Sequence, residues 1–177
     1  MSVVRRWQTR LTLPMAEVFL GLGSNVQRYQ HMVKGLDALA EHFSPLRLSP
    51  VYESESVGFR GSLFLNMVVS FDTDMALAPL AELLRDIEIR LGRVVGAPKF
   101  SPRTLDIDIL SYDNLCGNFD GIDLPRDEVS YNAFVLRPLS ELAPDHCHPL
   151  NGKSYRELWS NYASEQKLWP VAFRWPL

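Results

Sequence analysis

Residues Lys99–Leu110 read KFSPRTLDIDIL, and the end of that stretch sets two aspartates, Asp106 and Asp108, into an otherwise aliphatic run. A period of two specifies a β-strand, with Asp106 and Asp108 side by side on the face that also carries Thr104 and Leu110. Leu105, Ile107 and Ile109 then take the other face into a core. Carboxylates on such a strand are costly unless positive charge meets them. One solution is a hard divalent cation: Mg²⁺ commonly takes one or two carboxylates and completes its octahedron with water and substrate phosphates. Two such ions would bridge phosphates and offset charge as a phosphoryl group moves. The alternative is an exposed strand whose aspartates pair with Arg103 or a lysine. Against it stand the apolar neighbours in the strand and the Pro-containing loop before it, bracketed by Arg93 and Arg103. Arginine's planar, permanently charged fork suits phosphate oxygens.

The rest of the chain supplies a scaffold for that strand. Glu17–Leu22 reads as a short buried strand ending in the turn Gly23-Ser24-Asn25. Val33, Leu36, Ala40 and Phe43 recur at helical spacing, predicting a helix over Gln30–Phe43. Two strands follow, Arg47–Glu53 and Phe64–Asp72, separated by the turn-rich SESVGFRGS. A second helix opens near Pro79, carries the stripe Leu80, Leu83, Leu84, Ile87 and Leu91, and stops at Gly92. A further short helix is expected from Arg137-Pro138 to Ala143-Pro144, and the apolar tail WPVAFRWPL is expected to dock on the body. The order βαββαβα points to an α+β, three-layer sandwich: a ferredoxin-like (split βαβ) core with an antiparallel-rich sheet flanked by helices.

With 177 residues the chain suits one domain, 16–177, after an N-terminal extension, 1–15, with Met15 an alternative start. The net charge of −3 lacks the basic excess that nucleic acid or an anionic membrane selects, so neither partner is expected. No stretch reaches the ~20 apolar residues of a membrane span. Arg5, Arg6 and Arg10 precede no apolar run of signal-peptide type. Two distant cysteines, Cys116 and Cys147, argue for a reducing, cytoplasmic setting, and a monomer is expected. Neighbouring residues in Asp145-His146-Cys147-His148 diverge between Pro144 and Pro149, which reads as a turn rather than a metal cluster. There is neither a GxxxxGK[ST] loop nor a Gly-x-Ser-x-Gly elbow.

GLGSN, FLN, GRV after the second helix, PRTLDIDIL and FVLRPLSELAPDHCHPL, in that order from about Val18 to Tyr155, resemble the 6-hydroxymethyl-7,8-dihydropterin pyrophosphokinase family of folate synthesis. The resemblance implies that a pterin hydroxymethyl oxygen attacks the β-phosphorus of ATP and that AMP leaves. It implies that Asp106 and Asp108 hold two Mg²⁺ ions, and that Arg93 and Arg103 close over the triphosphate on a mobile loop. It further implies that Phe64 and Phe134 stack on the flat pterin, that Asn66 bonds its edge, and that backbone groups near Ser54 and Val57 complete that edge. Glu88, Phe100 and Arg126 fall to the ATP side, although Glu88 is equally readable as a solvated or salt-bridged residue. Taken alone, Phe64 and Phe134 would read as core residues.

Three positions depart from the family pattern. Ser101 replaces a usual glycine, with Phe100 before it in place of a frequent tryptophan. Within LPRDEVSYNAF, Arg126 stands where a histidine is usual and Asn132 where an arginine is usual. Losing one charged phosphate contact costs ~1.5–3 kcal/mol, or about ten- to a hundredfold in affinity. An active enzyme is the favoured reading, with ATP and a reduced pterin as its small-molecule partners. A non-catalytic or altered-substrate pterin- or nucleotide-binding paralog is the alternative, and a ferredoxin-like interaction module would leave the two aspartates unexplained.

Overall fold

The computed structural model describes residues 14–58 and 60–176; most of the expected N-terminal extension, 1–15, lies outside the described residues. Strand Ala16–Ser24 (β1) leads into helix Arg28–Ala40 (α1). The single strand expected over Arg47–Glu53 is two pieces, Arg47–Leu48 (β2) and Val51–Ser54 (β3). Pro50 has no N–H for a ladder, and Ser49 takes a separate bond, its N–H donating to the Val68 carbonyl at 2.9 Å. Strand Phe64–Thr73 (β4), helix Leu77–Arg90 (α2) and strand Asp106–Tyr112 (β5) follow.

These strands lie in the order β5-β1-β4-β3 and each neighbouring pair is antiparallel. β4 lies between β1 and β3, and β1 lies between β4 and β5, so both strand–helix–strand units are split. This is the ferredoxin-like arrangement expected from the element order.

Later elements extend that core. Strands Gly117–Phe119 (β6) and Ile122–Leu124 (β7) form a hairpin about Asp120-Gly121, both at positive φ (53° and 88°). Asp-Gly is the pair such a turn demands. Helices Glu128–Tyr131 (α3), Ala133–Leu142 (α4) and Tyr155–Ser160 (α5) come next. α4 begins four residues before the expected start at Arg137, and Pro138 lies inside it rather than in its first turn. The buried stripe Val135, Leu136 and Leu139 holds the helix across the proline. The apolar tail docks as strand Leu168–Val171 (β8), paired antiparallel to β3, and Trp175 Nε1 donates to Asp37 Oδ1 at 2.8 Å.

Strand periodicity divides the sheet between two cores. Val18, Leu20, Leu22, Leu65, Met67, Val69 and Phe71 face α1 and α2, meeting Met32, Leu36, Leu39, Leu80, Leu84 and Ile87. Phe19, Val68 and Leu110 face the other way, against Val129, Val135, Leu136, Leu139 and Tyr155. A strand buried on both sides must be apolar at nearly every position, which accounts for FLNMVVSF in β4. Each fully buried aliphatic side chain contributes about 1.5–3 kcal/mol. Among the described residues no helix is long and apolar enough to cross a membrane.

α1 lies close to the residues leading into β5: a Cβ on Gly35 would fall 2.7 Å from Leu105 Cδ2, and Leu105 is fully buried. Gly35→Val therefore overpacks this contact and is expected to lower unfolding stability by about 1–3 kcal/mol, read from the urea midpoint at unchanged m-value.

Candidate functional site

Register places the polar residues of three strands in one row. Gly23 of β1 pairs with Asp106 of β5 on one side and Asn66 of β4 on the other, and Asn66 pairs in turn with Tyr52 of β3. One step along, Gly21 lies between Asp108 and Val68. All of these share the face of Phe19 and Leu110. Further along that face α4 covers the sheet; here two glycines leave the floor without side chains. The result is a cavity of about 510 Å³.

Ten of the residues expected to act line this cavity. They are Ser54, Val57, Phe64, Asn66 and Phe134, expected against a pterin, and Phe100, Arg103, Asp106, Asp108 and Arg126, expected against phosphates or metal. Arg93 and Glu88 do not line it. Glu88 is buried on α2 beside the outer edge of β5, where its Oε1 accepts from the Ile107 N–H at 2.7 Å. It thereby closes a backbone donor on an edge of β5 that, among the described residues, pairs with no further strand. Its other oxygen lies 2.5 Å from Arg93 Nη1, which also reaches Asp106 Oδ1 at 3.1 Å. Burial raises the Glu88 pKa, against the lowering effects of the Ile107 N–H and Arg93. Glu88 thus holds the strand and Arg93 behind the carboxylates.

Asp108 is met by Arg126, whose Nη1 lies 3.6 Å from its Oδ1; Arg126 Nη2 lies 3.3 Å from Glu128 Oε1. Burial, then repulsion from Asp106, pushes the Asp108 pKa up to about 7 despite Arg126. Burial works against the charge on Arg126, but Asp108 and Glu128 more than offset it and its pKa is raised. Each aspartate therefore has one arginine opposite it. Among the described residues no three His, Cys, Asp or Glu side chains form a ready cage for a metal. A two-carboxylate set open to a cavity is nevertheless the donor set Mg²⁺ uses when substrate phosphates supply further oxygens.

Asn66, at 7% exposure, donates from Nδ2 to Ser54 Oγ at 2.9 Å and to the Tyr52 carbonyl at 3.3 Å. Its amide nitrogen is fully engaged within the sheet, which fixes the rotamer and turns its oxygen toward Gly23. Ser54 is thus a buried acceptor for Asn66. Val57 stands exposed at the cavity mouth.

Ser24, Asn25, Lys99 and Tyr131 were not identified from sequence as contributors. Asn25 clamps the arginine loop, its Oδ1 accepting from the Arg103 N–H at 2.7 Å and its own N–H donating to the Arg103 carbonyl at 3.0 Å. Ser24 Oγ adds a bond to the Thr104 carbonyl. The GLGSN turn is therefore the anchor of that loop as well as the approach to α1. Lys99 brings a further positive charge into the cavity wall, its Nζ 5.3 Å from the Phe100 ring centroid. Phe100 (φ 64°) lays its ring against Gly58, where a Cβ would fall 3.0 Å from ring carbon Cε1. Tyr131 and Asn132 complete the wall between α3 and α4. Away from the cavity, His146 packs against Phe19 and Tyr155, and His148 Nδ1 accepts from the Leu150 N–H.

Residues 19–144 match the family model for 7,8-dihydro-6-hydroxymethylpterin-pyrophosphokinase (HPPK). Among curated relatives, the 2-amino-4-hydroxy-6-hydroxymethyldihydropteridine pyrophosphokinase of Aquifex aeolicus is 34% identical over 145 residues, 81% of this chain and 90% of the relative. The protein of the same name from Pseudomonas aeruginosa is 36% identical over 133 residues, 72% of this chain and 81% of its own. A solved structure of wild-type Plasmodium falciparum HPPK-DHPS with pteroate superposes with a TM-score of 0.66 at 12% identity. That match covers 83% of this chain and 42% of the longer one, and establishes likeness of fold.

A carboxylate with a raised pKa stabilises the fold fully below its unfolded value, and that contribution is lost as pH rises through the folded value. For Asp108 the window runs from 3.8 to about 7. Without divalent metal, Asp108→Asn is expected to match the parent below this window and to exceed it in Tm above it. Thermal melts across pH in chelator check this; a parent equal to the variant at every pH would contradict the burial penalty.

Proposed function

The chain belongs to the 7,8-dihydro-6-hydroxymethylpterin pyrophosphokinase family, and on that premise we propose that it transfers pyrophosphate from ATP to 6-hydroxymethyl-7,8-dihydropterin, giving AMP and the pterin diphosphate in folate biosynthesis. The observation that carries the reading is one cavity lined both by Phe64, Phe134 and the fixed amide of Asn66, which suit a flat heterocycle, and by Asp106, Asp108 and basic residues, which suit metal and phosphate.

On the pterin side, Phe64 and Phe134 stack on the heterocycle. The Asn66 oxygen, left over after its nitrogen is engaged, accepts a hydrogen bond from the ring edge. An amide held this rigidly discriminates strongly, because an analogue lacking the matching donor leaves it unpaired in a buried place. The hydroxymethyl oxygen then points toward the phosphates and attacks the β-phosphorus of ATP.

Asp106 and Asp108 are the residues that would hold Mg²⁺, in our reading two ions. Bound there, the metal would offset negative charge on the phosphates. Arg93 and Arg126, which pair with the aspartates, would be available to phosphate oxygens if a cation took their place. Arg103, with its backbone clamped by Asn25, presents its guanidinium to the triphosphate, and Phe100 flanks it. Lys99 supplies a further positive charge in the wall of the same cavity, which supports retained ATP binding despite Asn132. We take the protein to act as a monomer in the cytoplasm, a setting its free thiols Cys116 and Cys147 support.

The test is a product assay with ATP, Mg²⁺ and 6-hydroxymethyl-7,8-dihydropterin, resolving AMP from ADP. AMP is expected one-for-one with the pterin diphosphate, and Asp108→Ala is expected to lower turnover at least about a hundredfold. Binding of the pterin without AMP would favour a non-catalytic paralog; formation of ADP would overturn pyrophosphoryl transfer.

A further inference from the structure

Beyond residue 144, where the family match ends, the chain returns to the cavity wall. Helices α3 and α4 are separated by one non-helical residue, Asn132 (φ −100°, ψ 115°), and the Asn132 side chain does not cap α4. The first N–H of α4, on Ala133, would be without an intrahelical acceptor, as the opening N–H groups of any helix are. Gln166 provides one from 33 residues away: its Oε1 accepts from the Ala133 N–H at 2.6 Å. The same side chain donates from Nε2 to Asn132 Oδ1 at 3.3 Å. Tyr162 reinforces the contact, its hydroxyl lying 2.7 Å from the Tyr131 carbonyl and 3.0 Å from Gln166 Oε1. Its ring stacks on Trp159 with centroids 5.2 Å apart.

Every residue held in this way belongs to the cavity wall or adjoins it. Tyr131 and Asn132 line the cavity, and Ala133 immediately precedes Phe134. We infer that Gln166 is a positioning residue for the pterin subsite: by capping α4 from the C-terminal segment it sets the place of the Phe134 ring. The inference rests on the pterin reading of the cavity. It also explains how Asn132 is used here, as a hydrogen-bond partner of Gln166 in the wall.

Two substitutions separate this role from simple support of the fold. Gln166→Leu removes both polar atoms at similar bulk, whereas Gln166→Glu keeps an oxygen for the Ala133 N–H. The readout is the equilibrium Kd for 6-hydroxymethyl-7,8-dihydropterin, from its own fluorescence, with Mg²⁺ and a non-hydrolysable ATP analogue, well below the Tm of each variant. Gln166→Leu is expected to weaken binding about three- to tenfold, and Gln166→Glu to recover most of that loss. A support role alone would lower Tm and leave the Kd of the folded protein unmoved. Equal Kd in the parent and Gln166→Leu, or equal loss in both variants, overturns the inference and leaves the pterin reading standing. A parent that binds no pterin overturns that reading, and this inference with it.

Discussion

Two carboxylates on one face of β5 set the terms for everything around them. Asp106 and Asp108 stand two residues apart, burial raises the cost of charge on Asp108, and each carboxylate is met by an arginine from a different element. Arg93 arrives from the loop after α2, and Arg126 follows the β6–β7 hairpin. Loop, hairpin and helix are thus gathered at one strand edge by a shared electrostatic requirement. Glu88 completes the arrangement from behind, tying Arg93 to the backbone of Ile107.

The sheet makes room for this charge by omission. Gly21 and Gly23 occupy the row between the aspartates and Asn66, so the face that is filled by Phe19, Val68 and Leu110 a few residues away is open here. Antiparallel register then sets a carboxylate, a bare backbone and a buried amide side by side. Such a row provides for two unlike halves of a ligand at once, with charge at the β5 end and directional hydrogen bonding at the β4 end. A row on neighbouring strands is also a better ruler than loops would be, because the sheet fixes the spacing of its side chains.

Much of this was legible in the sequence where a strong local period carried it. The apolar runs of β1 and β4, the stripes of α1 and α2 and the alternation in β5 each declare their element, and together they imply the split βαβ order. Boundaries governed by tertiary contacts were less visible. Pro138 reads as a helix start, yet burial of Val135, Leu136 and Leu139 carries α4 back to Ala133. β8 exists because β3 offers it an edge, and a short run with Pro170 gives little sign of that by itself. At the site, residue types were readable but partners were not. Glu88 follows the helical stripe closely enough to show a facing direction, whereas its bond to Ile107 depends on where β5 ends up. Asn25 and Gln166 act through backbone groups 78 and 33 residues away, contacts to which no local pattern points.

We propose that the carboxylate pair exchanges its arginines for divalent metal carrying the nucleotide. Calorimetric titration of a non-hydrolysable ATP analogue into the metal-free protein and into the protein with Mg²⁺, for the parent and for a variant carrying Asp106→Asn and Asp108→Asn, tests it most directly. Mg²⁺ is expected to strengthen nucleotide binding to the parent and to have no such effect on the variant. Equal affinity with and without Mg²⁺ in the parent would contradict it, and would leave the two aspartates as partners of Arg93 and Arg126 alone.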